Sequence, residues 1–354
     1  MEKKEISRRK FLAGAAAISS ASVIASCTGQ AKSPLSASVT PLNSDEPVSK
    51  PQAGAMPKRI LGKTGLSVSI LAFGCGSKFA ALSNPTGRYA ALDAALAGGI
   101  NYFDCASEYG TASTLGNYWS SSSVPVSRDK VIIVTKLNAR DYNGAKTEFE
   151  NQLTQLKMSY VDILLLHALP SDLDLSAISS STGAWKFLQD AKAAGTAKYI
   201  GFSSMDNTAA AGVLRDFCNQ LEPDVATLAM NVTGYGNMKT VTLPAANAKN
   251  AGVAVIKSLL GVVSATRTAA QCLAYLWDLK DEKGNYRVAT VIVGHDGGAS
   301  QVDTNVAIAK AYNTGVLSYD AKKLEREAKA LSGPHALAYA RPDFKDNGKP
   351  YIWL

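Results

Sequence analysis

The stretch VIIVTKLNARDYNGAKTEFENQLTQLKMSYVDILLLH, residues 131–167, decides the fold. It opens on a β-branched run, VIIVT, passes through the helix-like AKTEFENQLTQLKM and closes on a second apolar run, DILLL. Strands that run in the same sense need a crossover helix between them, and this segment has the makings of one. The unit recurs: SILAF, INYF, VIIVT, DILLL, YIGF, DVATL, VAVI and ATVIV are eight strand candidates, separated by helical stretches such as RYAALDAALAGG and AAQCLAYLW. Eight repeats predict an α/β fold, a closed (β/α)8 TIM barrel with its functional groups at the C-terminal strand ends. An open doubly wound sheet usually carries a G-x-G-x-x-G turn after its first strand; GCGSKFA, residues 74–80, matches it poorly. Ahead of the first strand, RILGKTGLSVS (59–69) reads as a β-hairpin placed to plug the barrel floor. Beyond the last unit, YDAKKLEREAKAL (319–331) reads as an amphipathic helix. YARPDFKDNGKPYIWL (339–354) reads as an aromatic tail, with Tyr351 and Trp353 candidates to roof the pocket.

The 354 residues are 46% apolar and 19% charged, a globular composition. Residues 1–26 stand apart, because SRRKFLAGAAAISSASVIAS has a basic start, a mild apolar run and small residues at its end, the layout of an export signal. Arg8 and Arg9 resemble the twin-arginine signal, which exports folded proteins, so a periplasmic or cell-envelope location is expected. VIASC resembles a lipoprotein cleavage box that makes Cys27 a lipidated first residue and a membrane anchor. Residues 27–57, with Pro34, Pro41, Pro47, Pro51 and Pro57 among Ser and Ala, read as a disordered linker, leaving 58–354 as the folded part. Loss of the signal removes five basic and two acidic residues and lowers the net charge from +8 to +5. No basic run with interleaved aromatics accompanies that excess, which argues against nucleic acid. Cys75, Cys105, Cys218 and Cys272 lack metal-finger spacing and read as core packing, although an oxidising compartment permits a disulfide.

The chemistry concentrates where strands run out. In GGINYFDCASEYG, residues 98–110, Asp104 and Tyr109 follow the second strand; Lys136 ends the third and His167 the fourth. A charged group just past a buried strand is strongly unfavourable unless partnered, so three adjacent strand ends of this kind point to one mutually compensating cluster. Singly, Asp104 and Lys136 read as a structural ion pair, His167 as a satisfied rim histidine and Tyr109 as a packing residue. Glu108 reads as a solvated loop carboxylate.

This order of Asp, Tyr, Lys and His, with RILGKTGLSVSILAFGCG, YVDILLLH, KYIGFSS and the closing VIVG, resembles the aldo-keto reductases over about residues 58–312. The resemblance implies an NAD(P)-dependent oxidoreductase that reduces a carbonyl or oxidises an alcohol by hydride transfer, with a small carbonyl or hydroxyl compound as substrate. Tyr109 is then the general acid/base, Lys136 lowers its pKa, Asp104 fixes Lys136, and His167 orients the carbonyl oxygen. It also implies cofactor contacts at Ser203, Ser204, Thr227, Lys257, Ser258, Leu260, Gly261, Gly294, Asp296 and Asn305. The match weakens there: Ser204 and Thr227 replace amide side chains, and Lys257 stands where many members stack a ring. His295, Asp296 and Gln301 fall where NADP-dependent members hold the 2′-phosphate, and the acidic Asp296 tips the expectation to NAD(H). No metal is expected, and no iron–sulfur motif follows the barrel. The substituted cofactor positions leave an alternative, a catalytically weakened binding or sensing lipoprotein on the same scaffold. A glycoside hydrolase using Asp104 and Glu108 is a third reading, weak because such carboxylates flank the sugar and usually come from different strands.

Overall fold

The computed structural model describes residues 54–204, 208–234, 236–259, 261–328, 331, 345–346 and 349–350. Cys27, the export signal, the linker to residue 53, Leu260, Tyr351 and Trp353 lie outside the described residues. A hairpin of β1 (Lys58–Ile60) and β2 (Ser67–Ser69) precedes eight parallel strands. These are β3 (Leu71–Gly74), β4 (Tyr102–Asp104), β5 (Ile132–Leu137), β6 (Val161–Leu169), β7 (Ala197–Ser204), β8 (Val225–Ala229), β9 (Gly252–Ile256) and β10 (Thr290–Gly294). Each pairs with the next, and β10 pairs with β3, so the barrel closes as the strand count predicts. A helix precedes each strand after β3, among them α1 (Thr86–Gly98), α2 (Tyr142–Leu156), α3 (Thr208–Leu221) and α4 (Ala269–Trp277). After β10 come α5 (Gly298–Asn313) and α6 (Ala321–Ala328), the latter within the predicted amphipathic stretch.

Alternation along each strand sorts side chains into two cores. Tyr102, Ile132, Val134, Ile163, Leu165, Val225 and Ala254 fill the barrel interior, while residues such as Phe103, Ile133, Leu164, Phe202 and Leu228 meet the helical shell. At about 25 cal/mol per Å² of apolar surface, each fully buried Leu or Ile contributes roughly 2 kcal/mol, so both cores are needed to hold the rim still. The hairpin closes the floor. Leu61 joins the interior cluster, and a Cβ on Gly252 would lie 2.4 Å from Leu61 Cγ, so only glycine fits at the start of β9. The Tyr199 hydroxyl donates to Thr64 O at 2.7 Å and ties the plug to β7. All four described cysteines are buried and unbridged, as core packing requires.

Candidate active site

Inward-facing residues at the top of β4, β5 and β6 are Asp104, Lys136 and His167, at most 2% exposed. Strand register brings them together, with Asp104 opposite Val134 and Lys136 opposite Leu165. Tyr109 sits on the single 3-10 turn Ser107–Tyr109 just beyond β4. Lys136 Nζ donates to Asp104 Oδ2 at 2.6 Å, to Cys105 O at 2.8 Å and to the Tyr109 hydroxyl at 3.5 Å. The His167 ring meets the Tyr109 ring edge-on, with centroids 5.6 Å apart. All four sequence-predicted residues thus meet at one rim.

The electrostatics correct one expectation. Burial pushes the Tyr109 phenol above its ordinary value, and the opposing pull of Lys136 does not overcome it. The drop toward neutrality expected from a neighbouring ammonium is absent, because desolvating a phenolate costs more than a cation 3.5 Å away returns. Tyr109 therefore holds its proton at neutral pH. Burial likewise raises Asp104 against the pull of Lys136. For Lys136, burial works against the charge, but Asp104 and Tyr109 prevail and hold the ammonium above its usual range.

Three features escaped the sequence reading. First, Glu108 is no freely solvated carboxylate: its Oε1 lies 3.4 Å from His167 Nδ1, and its side chain is 31% exposed. Second, β6 is irregular where it matters. The ladder to β7 shifts between Leu166 and Leu169, and Ala168 takes a left-handed φ of 48°, a conformation held by an Ala168 N–H bond to Ser203 Oγ at 2.8 Å. Arg140 donates to the carbonyl of His167 from the other side. Third, Glu148 on α2 accepts from the backbone N–H groups of Asn138 and Ala139, both at 2.9 Å, and from Ser107 Oγ, clamping the turn that carries Tyr109.

The cofactor candidates are scattered. Ser203 faces β6, as above, whereas Ser204 Oγ accepts from Ala229 N at 3.2 Å and turns toward Met238 in the helical shell. Thr227 lies within the barrel against Tyr102, one layer below the tetrad. Lys257, with a left-handed φ of 60°, joins the tetrad instead: burial first, then the charge of Lys136, lowers its pKa to about 8, against Glu108 and Asp104. Ser258 is buried, and Gly261 has a φ of 71°. At the other end Gly294 is pressed by Lys78, whose ammonium pairs with Asp296. His295 is stacked on Phe73 with centroids 4.9 Å apart, and burial lowers its pKa to about 4. It is neutral and enclosed, so it is no phosphate ligand. Gln301 Oε1 accepts from Gly297 N at 2.9 Å, and Asn305 is buried on α5. Among the described residues no cluster of His, Cys, Asp and Glu could hold a metal, and no helix is long and apolar enough to cross a membrane.

Comparison with known proteins agrees with this fold. In solved structures the fold resembles an aldo-keto reductase of Bacillus halodurans (TM-score 0.57, 20% identity, 77% of this chain and 95% of that one). It also resembles one from Brucella melitensis (TM-score 0.55, 18% identity, 78% and 99%). In sequence the chain is similar to the D-galacturonate reductase of Fragaria ananassa, 25% identical over 173 residues, which are 45% of this chain and 54% of the relative. It is 28% identical over 210 residues to the L-galactose dehydrogenase of Arabidopsis thaliana, covering 55% and 63%. The chain thus spans less than two thirds of the length of these curated relatives. The model of the Aldo/keto reductase family matches residues 71–269, more than half of the chain. The barrel is that of the family, and this protein belongs to it.

Proposed function

We propose that the protein is an NAD(P)-dependent oxidoreductase that reduces a small carbonyl compound, or oxidises the matching alcohol, with Tyr109 as general acid. The observation that carries this reading is Lys136 Nζ between Asp104 Oδ2 and the Tyr109 hydroxyl. A proton-bearing phenol beside a fixed ammonium can protonate a carbonyl oxygen, because the ammonium stabilises the phenolate that forms. The names of the sugar-directed relatives favour a hydroxylated substrate. A bound nicotinamide supplies the hydride.

Fit to such a cofactor is uneven. The 16-residue helix α5 begins at glycines beside Lys78, a setting suited to a phosphate, with Gln301 Oε1 taking the Gly297 N–H. Ser204 and Thr227 are turned away from the rim and make poor amide contacts. The ion pair with Lys78 also blunts the preference for NAD that Asp296 alone would impose. Asp296→Ser is expected to release Lys78 toward a 2′-phosphate and to tighten NADPH about tenfold relative to NADH, the worth of one charge-assisted hydrogen bond. Fluorescence titration of both nucleotides decides it. An unchanged ratio sinks the role of Asp296, and binding of neither nucleotide to the native chain sinks the redox reading.

The assembled tetrad makes a purely binding or sensing role the weaker alternative. A glycoside hydrolase is weaker still, since Lys136 occupies Asp104 and His167 faces Glu108. Export and lipid anchoring rest on Arg8, Arg9 and Cys27 alone. On that proposal Cys27→Ala moves the protein from the membrane fraction to the soluble fraction of the envelope; a native chain already soluble contradicts it.

A further inference from the structure

The tetrad leaves Glu108 without a role, yet its placement is specific. Its carboxylate hangs from the turn Ser107–Tyr109, with Oε1 3.4 Å from Nδ1 of His167, and the imidazole is 2% exposed. The turn is clamped: Ser107 bonds to Glu148, which also accepts from Asn138 N at 2.9 Å. The ring is held as well, by the edge of Tyr109 on one side and by the Arg140 bond to its own carbonyl. Charged and titratable neighbours of the pair are Tyr109 and Lys257, on both of which the charge of Glu108 acts, with Lys136 and Asp104 behind them.

The 3.4 Å contact is a close approach rather than a formed hydrogen bond, and an imidazole lone pair facing a carboxylate at that separation would be repelled, which favours a proton on Nδ1. We infer that Glu108 is a positioning residue that keeps His167 protonated at Nδ1. The tautomer then dictates what Nε2 offers. On the neutral ring Nε2 is an acceptor, and on the charged ring it is a donor. An alcohol hydroxyl suits the first state. A carbonyl oxygen, which only accepts, suits the second. The two halves of the redox couple would thus be matched to two protonation states of one ring. This consequence rests on the oxidoreductase reading, whereas the tautomer itself does not.

Because the chain has three histidines, nitrogen-detected NMR of the 15N-labelled full chain can resolve them, and His167→Asn assigns the signal. The expected result is the Nδ1–H tautomer in the native chain and a shift toward Nε2–H in Glu108→Ala. The variant should also lower kcat for carbonyl reduction about tenfold with KM nearly unchanged, less than the roughly hundredfold or more lost with a group that itself transfers the proton. An Nε2–H tautomer in the native chain overturns the inference without any variant, and so does an identical tautomer in native and Glu108→Ala. A native chain with the Nδ1–H tautomer that reduces no carbonyl would remove the redox reading and leave the assignment standing.

Discussion

Tyr109→Phe is expected to lower kcat for carbonyl reduction about a thousandfold, within the span of general acid catalysis, while nucleotide affinity stays within about twofold. The change deletes one oxygen and keeps the ring, so the edge contact with His167 survives and no cavity opens. Lys136 loses one contact at 3.5 Å and retains Asp104 and Cys105 at 2.6 and 2.8 Å, so the ion pair stays in place. What disappears is the proton. Since burial holds the phenol above its ordinary value, the native acid is loaded at neutral pH, so Tyr109 itself imposes no fall in the reductive rate until strong alkali, and any fall near neutrality belongs to the His167 ring. Steady-state rates from pH 6 to 10, with nucleotide titration of the variant, check both halves. Turnover unchanged in the phenylalanine variant would remove Tyr109 as the acid.

Lys136→Met is expected to abolish turnover and to destabilise the fold by about 3–5 kcal/mol, the usual cost of leaving a buried charge without its partner. Lys136 and Asp104 are both nearly inaccessible, with side-chain exposures of 1% and 3%. The penalty should depend on pH with a definite sign. Burial already raises Asp104 with Lys136 in place, and loss of the ammonium raises it further. Between the unfolded value near 3.9 and the raised folded value, the native state binds a proton that the unfolded chain does not, so stability falls as pH rises through that window. Urea midpoints should therefore separate native and variant more at pH 8 than at pH 5. Asp104→Asn combined with Lys136→Met removes the stranded charge and should recover much of the loss. Equal penalties at both pH values would show that the carboxyl is not desolvated as the fold implies.

Much of this architecture can be read from the residue string. Apolar runs alternating with helical stretches encode a parallel closed sheet, because a strand buried on both faces reads as continuous Val, Ile and Leu. Asp104, Lys136 and His167 were legible for a related reason: each interrupts or ends such a run, and in a barrel all strand ends share a rim. The hairpin plug was legible from its two glycine turns. Less legible were residues whose meaning depends on a neighbour far along the chain. Nothing in ASEYG signals that Glu108 reaches His167, and nothing in GSKFA signals that Lys78 claims Asp296.

Sequence by itself determined the barrel, its floor and the identity of the four rim residues, since these follow from the period of hydrophobicity and from where it stops. Only the tertiary structure decided how those residues behave. It placed a bulge at Ala168, turned Ser204 toward the shell and sank Thr227 below the rim. It also let burial outweigh Lys136 at the Tyr109 hydroxyl. The physical reason is that strand alternation is a local property of the chain, whereas desolvation and side-chain pairing are set by groups from other strands that meet only once the barrel has closed.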